Sequence, residues 1–133
     1  MRTLFFLILT FTLSINSFSQ TSVEYNFSGV EKDELKDYKG AIAEYSKAIA
    51  LNPKYAIAYY NRGISKNNLK DYLGAIADYT KAIEINPNDA SPYLYRGISK
   101  ISMNQKDSGC LDLHKAADLG SEEASELIKE SCN

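Results

Sequence analysis

Residues 37–53 read DYKGAIAEYSKAIALNP and residues 71–87 read DYLGAIADYTKAIEINP, so the chain lies on top of itself when shifted by 34 positions. Tyr38, Gly40, Ala41, Ile42, Tyr45, Ala48, Ile49 and Pro53 return as Tyr72, Gly74, Ala75, Ile76, Tyr79, Ala82, Ile83 and Pro87. Upstream, Tyr25 and Gly29 return as Tyr59 and Gly63, and again as Tyr93 and Gly97. A fixed period of this size marks an architecture of stacked repeats.

Within one repeat the chemistry is helical. Tyr72, Ala75, Ile76, Tyr79, Ala82 and Ile83 recur with the three- and four-residue spacing that draws one apolar stripe along a helix. Asp71 stands just before the stripe, where an N-cap is wanted. Asn86-Pro87 ends it, because proline cannot continue the hydrogen-bond ladder and turns the preceding residue away from helix. A second helical segment, about Ala56 to Leu69, comes first, and the short Lys70-Asp71 linker makes the two antiparallel neighbours. Gly63 falls mid-helix, where glycine costs about 1 kcal/mol relative to alanine. Its recurrence as Gly29 and Gly97 points to a close approach between helices.

Helices of roughly 12–14 residues are marginal in isolation, so each hairpin must bury its stripe on the next. The expected fold is all-α: an α-solenoid of three antiparallel helix hairpins at 22–55, 56–89 and 90–120. In the third repeat Lys106, Gly109, Cys110, Leu113, Ala116 and Ala117 fill the second stripe, which stops at Leu119-Gly120 instead of a proline. Residues 121–131 read as a capping helix, with Ser121 as N-cap, Glu122 and Glu123 in the first turn, and an apolar face of Ala124, Leu127 and Ile128. A solenoid needs such an end unit, apolar inside and polar outside.

The 133 residues suffice for one domain, 21–133, preceded by a segment of another kind. Arg2 is the only charge before Glu24; an apolar run from Leu4 to Leu13 follows it, then Ser14 to Gln20, polar and small. This is the pattern of a signal peptide over residues 1–20, too short to be a membrane span of about 20 apolar residues. Its removal takes the formal net charge from −2 to −3 and leaves no membrane-spanning stretch. The protein is therefore expected to be exported, to the periplasm or the extracellular space. Its charges are interspersed without a Lys/Arg stripe, which argues against nucleic acid as a partner.

The run Tyr59, Gly63, Tyr72, Ala75, Tyr79, Ala82, Pro87 resembles the tetratricopeptide repeat, and the three repeats cover nearly all of residues 22–120. Repeat one departs from the pattern at Ser28 and Lys32, where larger apolar residues are usual. The resemblance implies a concave groove lined by the first helix of each repeat. The corresponding positions are Asn26, Phe27 and Val30, then Tyr60, Asn61, Ile64 and Asn67, then Leu94, Tyr95 and Ile98. Aromatic and asparagine side chains there suit a peptide or a partner's helix, while Tyr38, Tyr45, Tyr72 and Tyr79 on the stripe suit the core. One branch of the family clamps a partner's C-terminal carboxylate with Lys, Asn and Arg. Of the five clamp positions only Asn61 matches; Asn26, Val30, Ser91 and Tyr95 occupy the others, so that recognition is not expected.

Arg62 and Arg96 stand where an apolar residue is usual, each sixteen residues before an aspartate, Asp78 and Asp112. We expect a structural ion pair inside the second and third hairpins, one that adds specificity more than net stability. Cys110, at the stripe position of Ile42 and Ile76, is either a buried apolar thiol or half of a disulfide with Cys132. Heights counted from the Leu119-Gly120 turn favour the bridge, which would contribute roughly 3 kcal/mol. Asn26-Phe27-Ser28 spells a glycosylation sequon, set aside because the signal is bacterial in style. His114 is the only histidine, and neither a CxxC pair nor a glycine-rich phosphate loop is present; no cofactor, metal or catalytic residue is expected. The sequence thus points away from an enzyme. It points to an adaptor binding a protein or peptide in the groove, with self-association through exposed end stripes as the alternative.

Overall fold

The computed structural model describes residues 20–133; the expected signal segment over residues 1–20 lies, but for Gln20, outside the described residues. Among the described residues seven α-helices follow one another: α1 (Ser22–Glu34), α2 (Tyr38–Leu51), α3 (Ala56–Asn68), α4 (Tyr72–Ile85), α5 (Ala90–Ser102), α6 (Lys106–Asp118) and α7 (Glu122–Ser131). Among the described residues there is no strand, and no helix is long and apolar enough to cross a membrane. Each helix packs on its chain neighbours, α1 on α2, α3 on α4 and α5 on α6 most extensively, which is the sequential stacking of an α-solenoid. The helix α7 packs on α6 alone of the second helices and closes the stack.

The helix boundaries follow local rules. Thr21 and Glu24 form a reciprocal capping box on α1. Asp37 and Asp71 accept from the backbone N–H of Gly40 and Gly74 at 3.1 and 3.0 Å, and Ser121 accepts from that of Ala124 at 3.1 Å. The hairpin turns share one device. Lys36, Lys70 and Asn104 adopt φ of 59°, 61° and 60°. The next residue's N–H then reaches back to the carbonyl of Lys32, Lys66 or Lys100 at 2.8–2.9 Å. Gly120, at φ 101°, makes the corresponding turn before α7 with no steric cost.

The core sits between the two layers of helices, where Ala41, Ala48, Ala75, Ala82 and Ala116 are wholly buried alongside Tyr45, Tyr79 and Leu113. Tyr38 and Tyr72 differ from the sequence expectation: as the first residues of α2 and α4 they sit at the hairpin edge and are only partly buried. The recurrent glycines are explained by contact. A Cβ on Gly63 would stand 2.6–3.1 Å from the Tyr79 ring, and one on Gly29 would overlap the Tyr45 ring. In the third repeat Leu113 replaces the tyrosine and Gly109 the alanine, and the helices close until a Cβ on Gly97 would strike the Gly109 carbonyl at 2.8 Å.

Cys110 and Cys132 are joined by a disulfide, S–S 2.07 Å and Cα–Cα 5.8 Å, which fixes the end of α7 to α6. The buried ring of Tyr79 has nowhere to move, so Gly63→Ala is expected to cost about 1–3 kcal/mol through overpacking. Lys70→Gly, which relieves a left-handed side chain at the turn, is expected to be neutral or stabilising by up to about 1 kcal/mol. Urea denaturation of the two variants checks both signs. Equal stability of Gly63→Ala and wild type would show that the close helix approach is not a constraint.

Candidate functional site: the face of α1, α3 and α5

The first helices of the three repeats stand side by side, and one pairing rule describes their contacts. The residue at the fifth position of one repeat meets the sixth position of the next. Asn61 Nδ2 donates to Asn26 Oδ1 at 3.1 Å across α1 and α3, and the rings of Tyr60 and Tyr95 meet edge-on at 6.0 Å across α3 and α5. Both rings also lean on Tyr79, with centroids 6.1 and 6.3 Å away. The floor is therefore a pair of amides followed by a pair of aromatic rings resting on the core.

This rule sorts the groove positions taken from the resemblance. Val30, Tyr60, Asn61, Ile64, Asn67, Tyr95 and Ile98 are half-buried on α1, α3 and α5 and retain open surface. Leu94 does not line an open groove: it is only 5% exposed and belongs to the apolar cluster of Leu113, Ala116 and Ala124, flanked by Leu127. The cause is α7, which occupies the place of a fourth first helix and covers the fifth position of repeat three. Phe27 is the converse case. At the sixth position it would meet a preceding repeat, and it is 63% exposed on the open face of α1. Asn26 is buried and hydrogen-bonded, so the sequon asparagine is part of the floor.

Beside the floor runs a polar ladder with two acceptors: Asn67, one of the expected groove residues, and Asp33, which the sequence analysis leaves unassigned. Tyr45 Oη donates to Asp33 Oδ2 at 2.7 Å, and Ser65 Oγ donates to the same carboxylate at 2.7 and 2.9 Å. One repeat on, Ser99 Oγ donates to Asn67 Oδ1 at 2.9 Å. There the phenol of Tyr79 is left without a hydrogen-bond partner, although the residue is fully buried. The donor serines recur at the repeat period, Ser65 and Ser99, which is the sequence signal for Asp33 as an acceptor.

The ion pairs lie on the side away from the floor. Arg62 grips Asp78 through Nε and Nη2 at 2.9 and 2.7 Å, and its Nη1 donates to Ser46 at 3.1 Å. Arg96 repeats this with Asp112 at 2.8 and 2.7 Å and with Thr80 at 3.2 Å. Each aspartate holds a second cation, Lys66 at 2.9 Å and Lys100 at 2.7 Å. Each arginine thus links the second helices of two successive repeats, and Lys66 and Lys100 are partners that sequence spacing alone had left unassigned. The hydrogen bonds to Asp112 raise the Arg96 pKa above its ordinary value.

Desolvation is the main influence on the tyrosines. Burial, the neighbouring Tyr95, and the Asp89 and Glu123 carboxylates raise the Tyr60 pKa to about 12; burial together with the Asp33 carboxylate pushes Tyr45 higher still, as burial with the neighbouring Tyr60, Tyr95 and Asp78 does Tyr79. Among the described residues no group of three or more His, Cys, Asp or Glu side chains is placed to hold a metal ion. The folded chain keeps phenol protons that the unfolded chain releases near pH 10. These groups contribute stability that is fully present below about pH 10 and is lost as pH rises through about 12. The urea midpoint is expected to hold up to about pH 10 and then fall steeply. The tyrosinate absorbance of Tyr45, Tyr60 and Tyr79 should appear only together with unfolding. Ionisation of these three near pH 10 with the fold intact would contradict this.

Residues 34–66 match the family described as TPR repeat, and residues 56–89 match the one described as Tetratricopeptide repeat. Curated protein sequences give no significant match. Among solved structures, the TPR domain of Arabidopsis OM64 is similar at 27% identity, with a TM-score of 0.81 over 83% of this chain and 93% of that one. The TPR2B domain of yeast Sti1, solved as a complex with pHsp70, is 26% identical, with a TM-score of 0.81 over 86% and 98%. The first TPR of Spaghetti (RPAP3), bound to the HSP90 peptide SRMEEVD, has the same fold: TM-score 0.82 at 21% identity, covering 86% and 92%. The described residues thus form an all-α solenoid with the fold of tetratricopeptide-repeat domains, and residues 34–89 match the repeat itself.

Proposed function

We propose that this protein is an exported adaptor that holds a peptide or a helix of another protein in the groove of α1, α3 and α5, without catalysing a reaction. The observation that carries this reading is the groove's surface. Val30, Ile64 and Ile98 are half-buried at the same position of three successive repeats, beside the Asn26–Asn61 and Tyr60–Tyr95 pairs. A continuous aliphatic row flanked by amides and rings fits a segment that brings both apolar side chains and peptide groups. Two of the similar solved structures are described as peptide or partner complexes, which supports the same use of the fold. Export rests on the N-terminal segment of residues 1–20, and the Cys110–Cys132 bridge is in keeping with an oxidising compartment.

Capture of a C-terminal carboxylate is not part of the proposal. Of the five clamp positions only Asn61 has a matching side chain, and its amide is already engaged with Asn26. Self-association is the second reading, favoured by the open Val23 and Phe27 on α1, where a preceding repeat would pack. At the other end α7 turns Glu122, Glu126, Lys129 and Glu130 to solvent, which opposes stacking there.

In-cell crosslinking with mass spectrometry, on wild type and on a Val30→Lys, Ile64→Lys variant shown to melt at the wild-type temperature, decides between the readings. Capture of one heterologous protein by wild type, with at least a tenfold loss in the variant, is the expected result; the SRMEEVD peptide should give no saturable calorimetric signal. Self-crosslinks alone, reduced by Phe27→Lys, would replace the adaptor with a self-assembling protein.

A further inference from the structure

The groove is electrically lopsided. Every basic side chain on its three helices is turned into an ion pair: Lys32 with Asp37, Arg62 and Lys66 with Asp78, and Arg96 and Lys100 with Asp112. The acidic side chains on these helices are all on α1, and α3 and α5 carry none. The asymmetry is sharpest at two positions that recur in register. Asp33 in repeat one becomes Asn67 and then Ile101, while Glu34 becomes Asn68 and then Ser102. The wall runs from carboxylate to amide to uncharged residue, while the row Val30, Ile64, Ile98 beside it stays aliphatic throughout.

Asp33 is held for a purpose that its own contacts do not complete. The carboxylate is half-buried and fixed by the hydroxyls of Tyr45 and Ser65, with no cation within 4.0 Å among the described residues. Two neutral donors orient it but leave its charge uncompensated in partly desolvated surroundings. At the opposite end of the row, Ile98, Ile101, Leu113 and Leu127, with Ser102 and Ser131, line a mainly apolar recess of about 110 Å³, suited to a branched aliphatic side chain.

We propose that the groove binds its segment in one direction. A lysine or arginine lies against Asp33 and Glu34 on α1, aliphatic residues run over Ile64 and Ile98, and an uncharged apolar end enters the recess beside α7. This rests on the groove being the binding surface, and charge complementarity selects the occupant: a basic, amphipathic protein segment.

The test is selection of a phage-displayed random dodecapeptide library on the purified chain, on Ile64→Lys, and on an Asp33→Asn, Glu34→Gln variant. Asparagine already occupies the Asp33 position in repeat two and Glu34 is exposed, so the last variant keeps the fold. Expected are peptides lost on Ile64→Lys, enriched in Lys or Arg toward one end and in aliphatic residues toward the other. For a synthesised member, Asp33→Asn, Glu34→Gln should weaken binding about fivefold at low salt, with the difference shrinking as salt rises. A photoreactive group at its apolar end should label α5 or α7 and spare α1. Groove-dependent peptides without basic enrichment, or with affinity unchanged by the charge variant, would overturn the polarity and leave the adaptor reading intact. Labelling of α1 by the apolar end would reverse the direction and overturn it likewise. Absence of any peptide that depends on Ile64 would remove both.

Discussion

Within each of the first two hairpins, a glycine on the first helix lies flat against a tyrosine ring on the second, Gly29 on Tyr45 and Gly63 on Tyr79. The glycine forgoes helix propensity of about 1 kcal/mol. In return, two short helices approach closely enough to bury a large ring completely. Everything above that contact depends on the resulting spacing: the ring supports the floor of the groove, and its hydroxyl can rise into the layer where neighbouring first helices meet. The third repeat keeps the approach by other means. With Leu113 in place of the ring, Gly97 and Gly109 bring backbone to backbone.

Between repeats the apolar contacts are supplemented by directional ones. An aliphatic stripe alone would tolerate sliding of one hairpin on the next. The bidentate Arg62–Asp78 and Arg96–Asp112 pairs, each tied to a hydroxyl of the previous repeat, do not. Their net contribution to stability is small after desolvation, so their main effect is on register. They have a second consequence for the binding face. By drawing Arg62, Lys66, Arg96 and Lys100 to the opposite side of α3 and α5, they leave the carboxylates of α1 as the acid on the groove-lining helices.

The end of the solenoid is decided by α7. It is too short to be stable alone and is held by Ala124 in the apolar cluster and by the disulfide at its last turn. Because it sits where a fourth repeat would begin, it converts Leu94 from surface to core and supplies Leu127 as one wall of the terminal recess. The groove therefore has a mainly apolar recess at one end, and at the other end Phe27 is open where a preceding repeat would pack.

The sequence by itself determined what is local or periodic. The 34-residue echo, the capping aspartates, the prolines after the second helices and the recurrent glycines each act through near neighbours, and they specify helices, hairpins and stacking order. The sixteen-residue spacing of Arg62 and Asp78 was equally legible, because one hairpin fixes which positions face each other. Tertiary structure alone decided contacts that cross repeats. Leu94 reads as a groove residue by its position, but its burial depends on where α7 lands. Asp33 reads as one more acid on a helix surface, but it is the acceptor for hydroxyls 12 and 32 residues away. Phe27 and Tyr95 share a repeat position, yet one is open and the other packed, because among the described residues only the latter has a repeat before it. A repeated sequence encodes each unit's own fold, whereas exposure depends on which neighbour is present, and that is a property of the assembled stack.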